Sequence, residues 1–272
     1  MIDRVSPPAA VRFRDEYAAH RAAEGRQYRH DQLLELPYLT DGPLARQWQV
    51  RARTFDAFVR HVLAPAAARR RRPLDVLDLG AGNAWLCYRA ALAGHRAVAV
   101  DIRLDAVDGL GAAAPYVART ARQRIQCVAA SFDALPLRAA TFDVVVFNAA
   151  LHYAIDLTAA LAEASRVTRS GGALAILDSP CYVALSDGQA MVAEKHRLAH
   201  QQFGARAGAL LALPFLEFLT PERLTAASRG LGLSWQRRRV RYPLWYELRP
   251  LVAWLRRRRR PSRFDLWESV AP

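Results

Sequence analysis

From residue 73 onward, short apolar runs alternate with helical stretches. The runs are Leu74–Leu79, Ala97–Val100, Ile125–Ala129, Phe142–Phe147 and Ala173–Leu177. Between them, Asn83–Ala93, Leu104–Ala113 and Leu157–Val167 read as helices. Strands this uniformly apolar are buried on both faces, so they pair in parallel under covering helices. Right-handed crossovers then fix most of the strand order. The expected fold class is α/β.

The flanks add cover to this core. Residues 9–24 and 43–63 read as helices, the second starting at Pro43 after Asp41-Gly42. The expected division is an N-terminal helical lid over 1–72 and a core over 73–272. Within the lid, Tyr28, Tyr38, Trp48 and Arg51 stand out. After residue 178, Asp187 is placed to cap a helix reaching about Gln202, and Pro221 to start one ending near Gly230. Leu233–Tyr242 and Arg263–Ser269 read as late strands. Between them, Pro243–Pro261 reads as a helix with Trp245, Tyr246, Leu248, Leu251, Trp254 and Leu255 on its apolar side. Substrate-cover insertions are expected near 180–220 and 243–261.

The chain carries a formal charge of +14, and Lys195 is its only lysine. Arginine runs stand at Arg69–Arg72, Arg237–Arg239 and Arg256–Arg260. Such runs attract nucleic acid or anionic lipid, or form a solvated surface. No aromatic residue interleaves the first run, which disfavours nucleic acid. The last run adjoins an aromatic stretch, so peripheral membrane contact is one option for residues 243–261; packing on the core is the other. No apolar run reaches the roughly 20 residues of a membrane span, and Met1–Ala10 lacks a signal-like segment. Cys87, Cys127 and Cys181 are scattered, and the histidines, His196 and His200 included, lack a third ligand partner. A soluble cytoplasmic protein without a metal is expected.

The densest chemistry lies in Leu77-Asp78-Leu79-Gly80-Ala81-Gly82-Asn83-Ala84-Trp85. It leaves a strand and opens a helix, and its glycines let backbone approach a ligand. A dinucleotide fingerprint expects a third glycine where Trp85 stands. The acid before the glycines would repel a pyrophosphate and attract a cation. The next strand, Val98–Val100, ends in Asp101, an acid placed to accept from both ribose hydroxyls. Further on come Ser131-Phe132-Asp133, then the strand ending in Asn148, then Leu151-His152-Tyr153 and Leu177-Asp178.

In this order the segments over residues 74–178 resemble the class I methyltransferases that use S-adenosylmethionine, particularly the small-molecule group with the strand-end D-x-G-x-G motif (methyltransferase type 11/25-like). The resemblance implies a Rossmann-like, doubly wound, seven-stranded sheet, mostly parallel with a late antiparallel hairpin. It implies that Asp78, Gly80, Ala81 and Gly82 line the methionine part of the cofactor and that Asp101 holds the ribose. Ile102 would pack on adenine, and Ser131 and Phe132 would meet its edge. Asn148 would sit beside the sulfonium, with His152 near the transferred methyl. The group often has an acid where Ser131 stands. Serine accepts without charge assistance, and Asp133 is the alternative. Arg51 is a candidate partner for the cofactor carboxylate.

Histidine is the residue type suited to general-base work near neutral pH, which makes His152 the first candidate, with a structural role as its alternative; Tyr153 and Asp178 are weaker candidates. The expected activity is methyl transfer to oxygen, nitrogen or carbon of a small-molecule or lipid-like metabolite. RNA methylation and nicotinamide-dependent oxidoreduction are the alternatives. Asn148-Ala149-Ala150-Leu151 lacks the prolines of base-methylating relatives, and Trp85 opposes the nicotinamide reading.

Overall fold

The structure, a computed structural model, describes residues 16–17, 25–121, 124–204 and 207–272. Seven strands form one sheet: β1 Asp75–Leu79, β2 Arg96–Asp101, β3 Ile125–Ala129, β4 Phe142–Asn148, β5 Thr168–Leu177, β6 Gln236–Arg238 and β7 Leu266–Val270. Their order is β3-β2-β1-β4-β5-β7-β6. The first five are parallel, and β7 lies antiparallel to both β5 and β6. Successive strands step outward from β1 to β3, then restart beyond β1 with β4. The carboxyl ends of β1 and β4 therefore flank the crevice where doubly wound sheets bind ligands.

Every residue of β4 is buried, and its side chains divide with the period of two that a strand imposes. Val144 and Val146 join a cluster with Trp48, Phe55, Phe58 and Trp85. Val145 and Phe147 join the opposite cluster with Leu157, Leu161 and Ala164. The helix Leu157–Val167 starts where the Asp156 carboxylate accepts from the amides of Thr158 and Ala159, at 2.8 and 3.0 Å. Asp156→Ala is expected to cost about 0.5–2 kcal/mol of stability, the usual worth of such a cap. Chemical denaturation checks this, and an unchanged midpoint would show that the cap contributes nothing.

The helix Ala45–Phe58 continues through a widened π turn, Val59–Leu63, into Ala64–Arg70. Its buried face, with Trp48, Phe55 and Phe58, shares a cluster with the sheet. Of the expected 9–24 helix, Glu16 and Tyr17 are helical, and the rest lies outside the described residues.

Several elements differ from the sequence reading. Leu104–Ala113 is a turn followed by a 3-10 stretch, Leu110–Ala113, and the helix comes later, at Ala114–Arg119. The Asp105 carboxylate holds the turn by accepting from the amides of Val107 and Asp108 and from Arg103, and Pro115 opens the helix. Asp187 is not a cap: the helix Leu185–Phe203 starts after Ala184, and Asp187 accepts from the Arg260 amide. Of Leu233–Tyr242, only β6 pairs. Beyond it, side chains satisfy the backbone, Asp265 for Val240 N and Glu247 for Tyr242 N. Pro243–Pro261 is two short helices, Leu244–Glu247 and Arg249–Leu255, because Pro250 cannot donate to a continuous ladder.

The first two arginine runs are partly neutralised within the fold. Arg70, Arg72 and Arg169 surround the buried Asp143. Arg237, Arg238 and Arg239 pair with Asp265, Glu268 and Glu247. Among the described residues, no helix is long and apolar enough to cross a membrane.

Candidate functional site

At the carboxyl end of β1 the chain turns through Gly80–Ala84 before entering the helix Trp85–Leu92. Gly80 has φ +73 and Gly82 φ +55, in the left-handed region that glycine tolerates. A Cβ on Gly80 would collide with the Cβ of Ala150, so the turn lies directly against the loop after β4. Gly80 N and Ala81 N both donate to Val100 O, at 2.8 and 3.0 Å. Those bonds tie the turn to β2.

β2 delivers Asp101 to the same place. Gly82 N donates to its Oδ2 at 2.7 Å, and Arg103 N to its Oδ1 at 2.8 Å. The carboxylate is therefore fixed in orientation, and each oxygen has remaining lone-pair capacity for a ligand. Burial raises its pKa, and these two amides oppose the rise.

These elements surround a cavity of about 410 Å³. Arg51, Gly80, Ala81, Gly82, Asp101, Ile102, Ser131, Phe132 and Asn148 all line it. Asp133, the alternative to Ser131, lines it too. The wall also includes residues that sequence reasoning missed or placed second, among them Tyr17, Tyr153, Ile155, Leu213 and Phe215. Tyr17 and Tyr153 share a hydrogen bond between their hydroxyls at 2.8 Å, and Phe215 packs edge-on against Tyr153. The apolar loop Leu213-Pro214-Phe215 was the available signal for that part of the wall.

Two expected residues do not line the cavity. Asp78 is fully buried, and neither of its carboxylate oxygens has a hydrogen-bond partner among the described residues. Burial pushes its pKa up to about 8; Arg51 draws it down, and Asp101 adds to the rise. His152 faces elsewhere: its Nδ1 lies 3.4 Å from Ser179 Oγ, and its ring packs 4.2 Å from that of Tyr153. It follows the loop after β4 into the 3-10 turn Leu151–Tyr153, whose next residue, not His152, reaches the cavity.

Arg51 is clasped on several sides. It sits over the Trp48 and Trp85 rings, at 4.7 and 5.4 Å. It donates to Asn148 Oδ1 at 3.2 Å and pairs with Asp178 Oδ2 at 3.4 Å. Trp85, in the place of a third glycine, is thus a packing partner for this cation. Of the other N-terminal residues that stand out in the sequence, Trp48 is buried and Tyr38 bonds to Asp56. A planar guanidinium held this way can present further donors to a carboxylate.

A glycine turn, an anchored acid at the end of the second strand and a crevice at the reversal of the sheet are the features that nucleotide-binding α/β folds share. Residues 77–176 match a family described as a methyltransferase domain. The chain is 37% identical over 108 residues to a malonyl-[acyl-carrier protein] O-methyltransferase of Halorhodospira halophila, a match covering 39% of this chain and 35% of that protein. It is 34% identical over 116 residues to a demethylmenaquinone methyltransferase of Mycolicibacterium gilvum, covering 42% and 46%. The chain thus spans less than half the length of these curated relatives. Its fold resembles that of a 1,6-didemethyltoxoflavin-N1-methyltransferase of Burkholderia thailandensis, solved with S-adenosylhomocysteine, with TM-score 0.56, 18% identity and coverage of 100% and 93%. The match over residues 77–176 agrees with the resemblance to the class I S-adenosylmethionine-dependent methyltransferases that the sequence motifs carry.

Proposed function

We propose that this chain transfers a methyl group from S-adenosylmethionine to an oxygen, nitrogen or carbon atom of a small, largely apolar metabolite. The observation that carries this reading is the cavity itself: the anchored Asp101 and the glycine turn share it with a wall of Tyr17, Tyr153, Ile155, Leu213 and Phe215. The residues fit the cofactor chemically. Asp78, buried and without a hydrogen-bond partner among the described residues, does not itself line the cavity but lies two residues before Gly80 of its wall, where its negative charge favours a cationic amino-acid end. When bound, the cofactor supplies a methyl already activated on sulfur.

In this reading Asp101 takes the ribose hydroxyls, Ile102 packs on the adenine, and Ser131 and Phe132 meet its edge. Gly80, Ala81 and Gly82 leave room for the methionine part, beside Asn148 and the clasped Arg51. The apolar wall excludes water and aligns the acceptor, which is where most of the acceleration in such a transfer arises. His152 serves here by positioning Tyr153, whose phenol faces the cavity, rather than as the base itself. The three free cysteines agree with a reducing, cytoplasmic setting.

Affinity for S-adenosylhomocysteine is expected to rise from pH 6 to pH 8, by at most about tenfold per unit. The sign follows from the raised pKa of Asp78: the free protein holds it neutral below about 8, and a cationic ligand end needs it ionised, so binding below that pH expels a proton. Asp78→Asn should flatten the profile in calorimetry. A flat profile in the unmodified chain would remove Asp78 from the cofactor's surroundings. Calorimetry with NAD tests the reading as a whole, since micromolar binding of NAD alone would overturn it.

A further inference from the structure

The segment between β6 and β7 carries two faces. Tyr246, Arg249 and Ala253, spaced three and four residues apart, point inward: Tyr246 is 2% exposed, and the Arg249 guanidinium lies over its ring and donates to Ser262 O. On the opposite face Leu244, Leu248, Leu251, Val252 and Leu255 follow one another at helical spacing. These are exposed, Leu244 at 72% and Leu255 at 66%, and Trp254 beside them is 72% exposed. Among the described residues nothing covers this face. Of the two options for this stretch, packing on the core holds for Tyr246, and Trp245 donates to Gln49 Oε1 and packs edge-on against Tyr246, whereas Leu248, Leu251, Trp254 and Leu255 stay exposed.

Directly after Leu255 comes Arg256-Arg257-Arg258. All three are exposed, and among the described residues none has a carboxylate partner, in contrast to the first two arginine runs. Exposed leucines with an indole, followed at once by uncompensated guanidinium groups, match the boundary between lipid tails and anionic headgroups. A second copy of the chain would instead bring an identical arginine cluster to this one, at +14 per chain. We propose that the outer face of residues 244–258 docks on an anionic lipid bilayer, with the leucines and Trp254 in the headgroup and acyl boundary and Arg256–Arg258 on the lipid charges. The proposal goes beyond methyl transfer and stands apart from it, because the cofactor cavity takes no part in the contact.

The test is co-sedimentation of the full chain with phosphatidylcholine vesicles, with and without about one third phosphatidylglycerol. The chain should bind the anionic vesicles at least tenfold more tightly, and about 0.5 M salt should remove most of that difference. The doubly substituted Leu251→Glu, Trp254→Glu chain should lose at least tenfold in binding, with unchanged S-adenosylhomocysteine affinity as its folding control. Arg256→Gln, Arg257→Gln, Arg258→Gln should lose the preference for anionic lipid. Quenching of tryptophan fluorescence by brominated phosphatidylcholine in anionic vesicles provides a readout in the unmodified chain. Equal sedimentation with both vesicle types, absence of quenching, or a dimer in light scattering that the Leu251→Glu, Trp254→Glu changes dissociate would each overturn the assignment.

Discussion

Gly80→Val is expected to abolish measurable binding of S-adenosylhomocysteine. Gly80 occupies φ +73, where a β-branched residue is strained by about 1–3 kcal/mol. Its new Cβ would also meet the Cβ of Ala150, with Phe132 Cε1 3.7 Å away. The Phe132 ring is only in ordinary contact, but the Ala150 Cβ cannot swing aside, because it is fixed to the buried backbone of the loop after β4. The turn itself must move, and it carries Gly80, Ala81 and Gly82 of the cavity wall with it. Calorimetry reads the lost binding, and thermal unfolding should show a lowered midpoint, since overpacking of this kind costs about 1–3 kcal/mol. Retention of affinity within about threefold would mean that the turn does not contact the ligand.

The second large effect is expected from Asp101→Ala. The Asp101 carboxylate accepts from Gly82 N and Arg103 N, and in the proposed function it also takes two ribose hydroxyls. Losing the hydrogen bonds to this charged group should weaken S-adenosylhomocysteine binding by about 1–3 kcal/mol, roughly 5- to 150-fold. A ligand without its ribose hydroxyls should bind the unmodified and the substituted chains with more similar affinity. If the substitution weakens both ligands equally, the acid organises the turn and does not read the sugar.

How much of this was legible in the sequence depended on the range of the interactions. The parallel core followed from apolar runs such as Phe142–Phe147, because burial on both faces leaves a continuous pattern within one strand. The gathering of Gly80, Gly82 and Asp101 was equally local, set by a turn and the ends of two adjacent strands. Leu104–Ala113 misled because its apolar spacing fits a helix, while the Asp105 carboxylate captures the backbone amides that a helix would need. His152 and Tyr153 are neighbours in sequence, and only the geometry of the 3-10 turn decides which one reaches the cavity. Tyr17, Leu213 and Phe215 arrive from distant parts of the chain, and no pattern near residues 74–178 announces them. The outward leucines of 244–255 carry the same helical spacing as a buried face, so periodicity alone cannot tell which side a helix buries.

The widened turn at Val59–Leu63 has a bearing on how this chain tolerates change. A π turn holds one residue more than a regular helical turn, and each residue of a helix advances the next by roughly 100° around its axis. Deleting a single residue there would close the wide turn into regular helix and leave the two halves in nearly the same phase, so Arg51 would keep its place beside Trp85, Asn148 and Asp178. Deleting one from the regular turns between Arg51 and Phe58 would instead rotate Arg51 by about 100° away from those partners, with Ala64–Arg70 held in place. The bulge thus absorbs a length change between the part of the helix that anchors to the sheet and the part that serves the ligand, which the regular turns ahead of it cannot do.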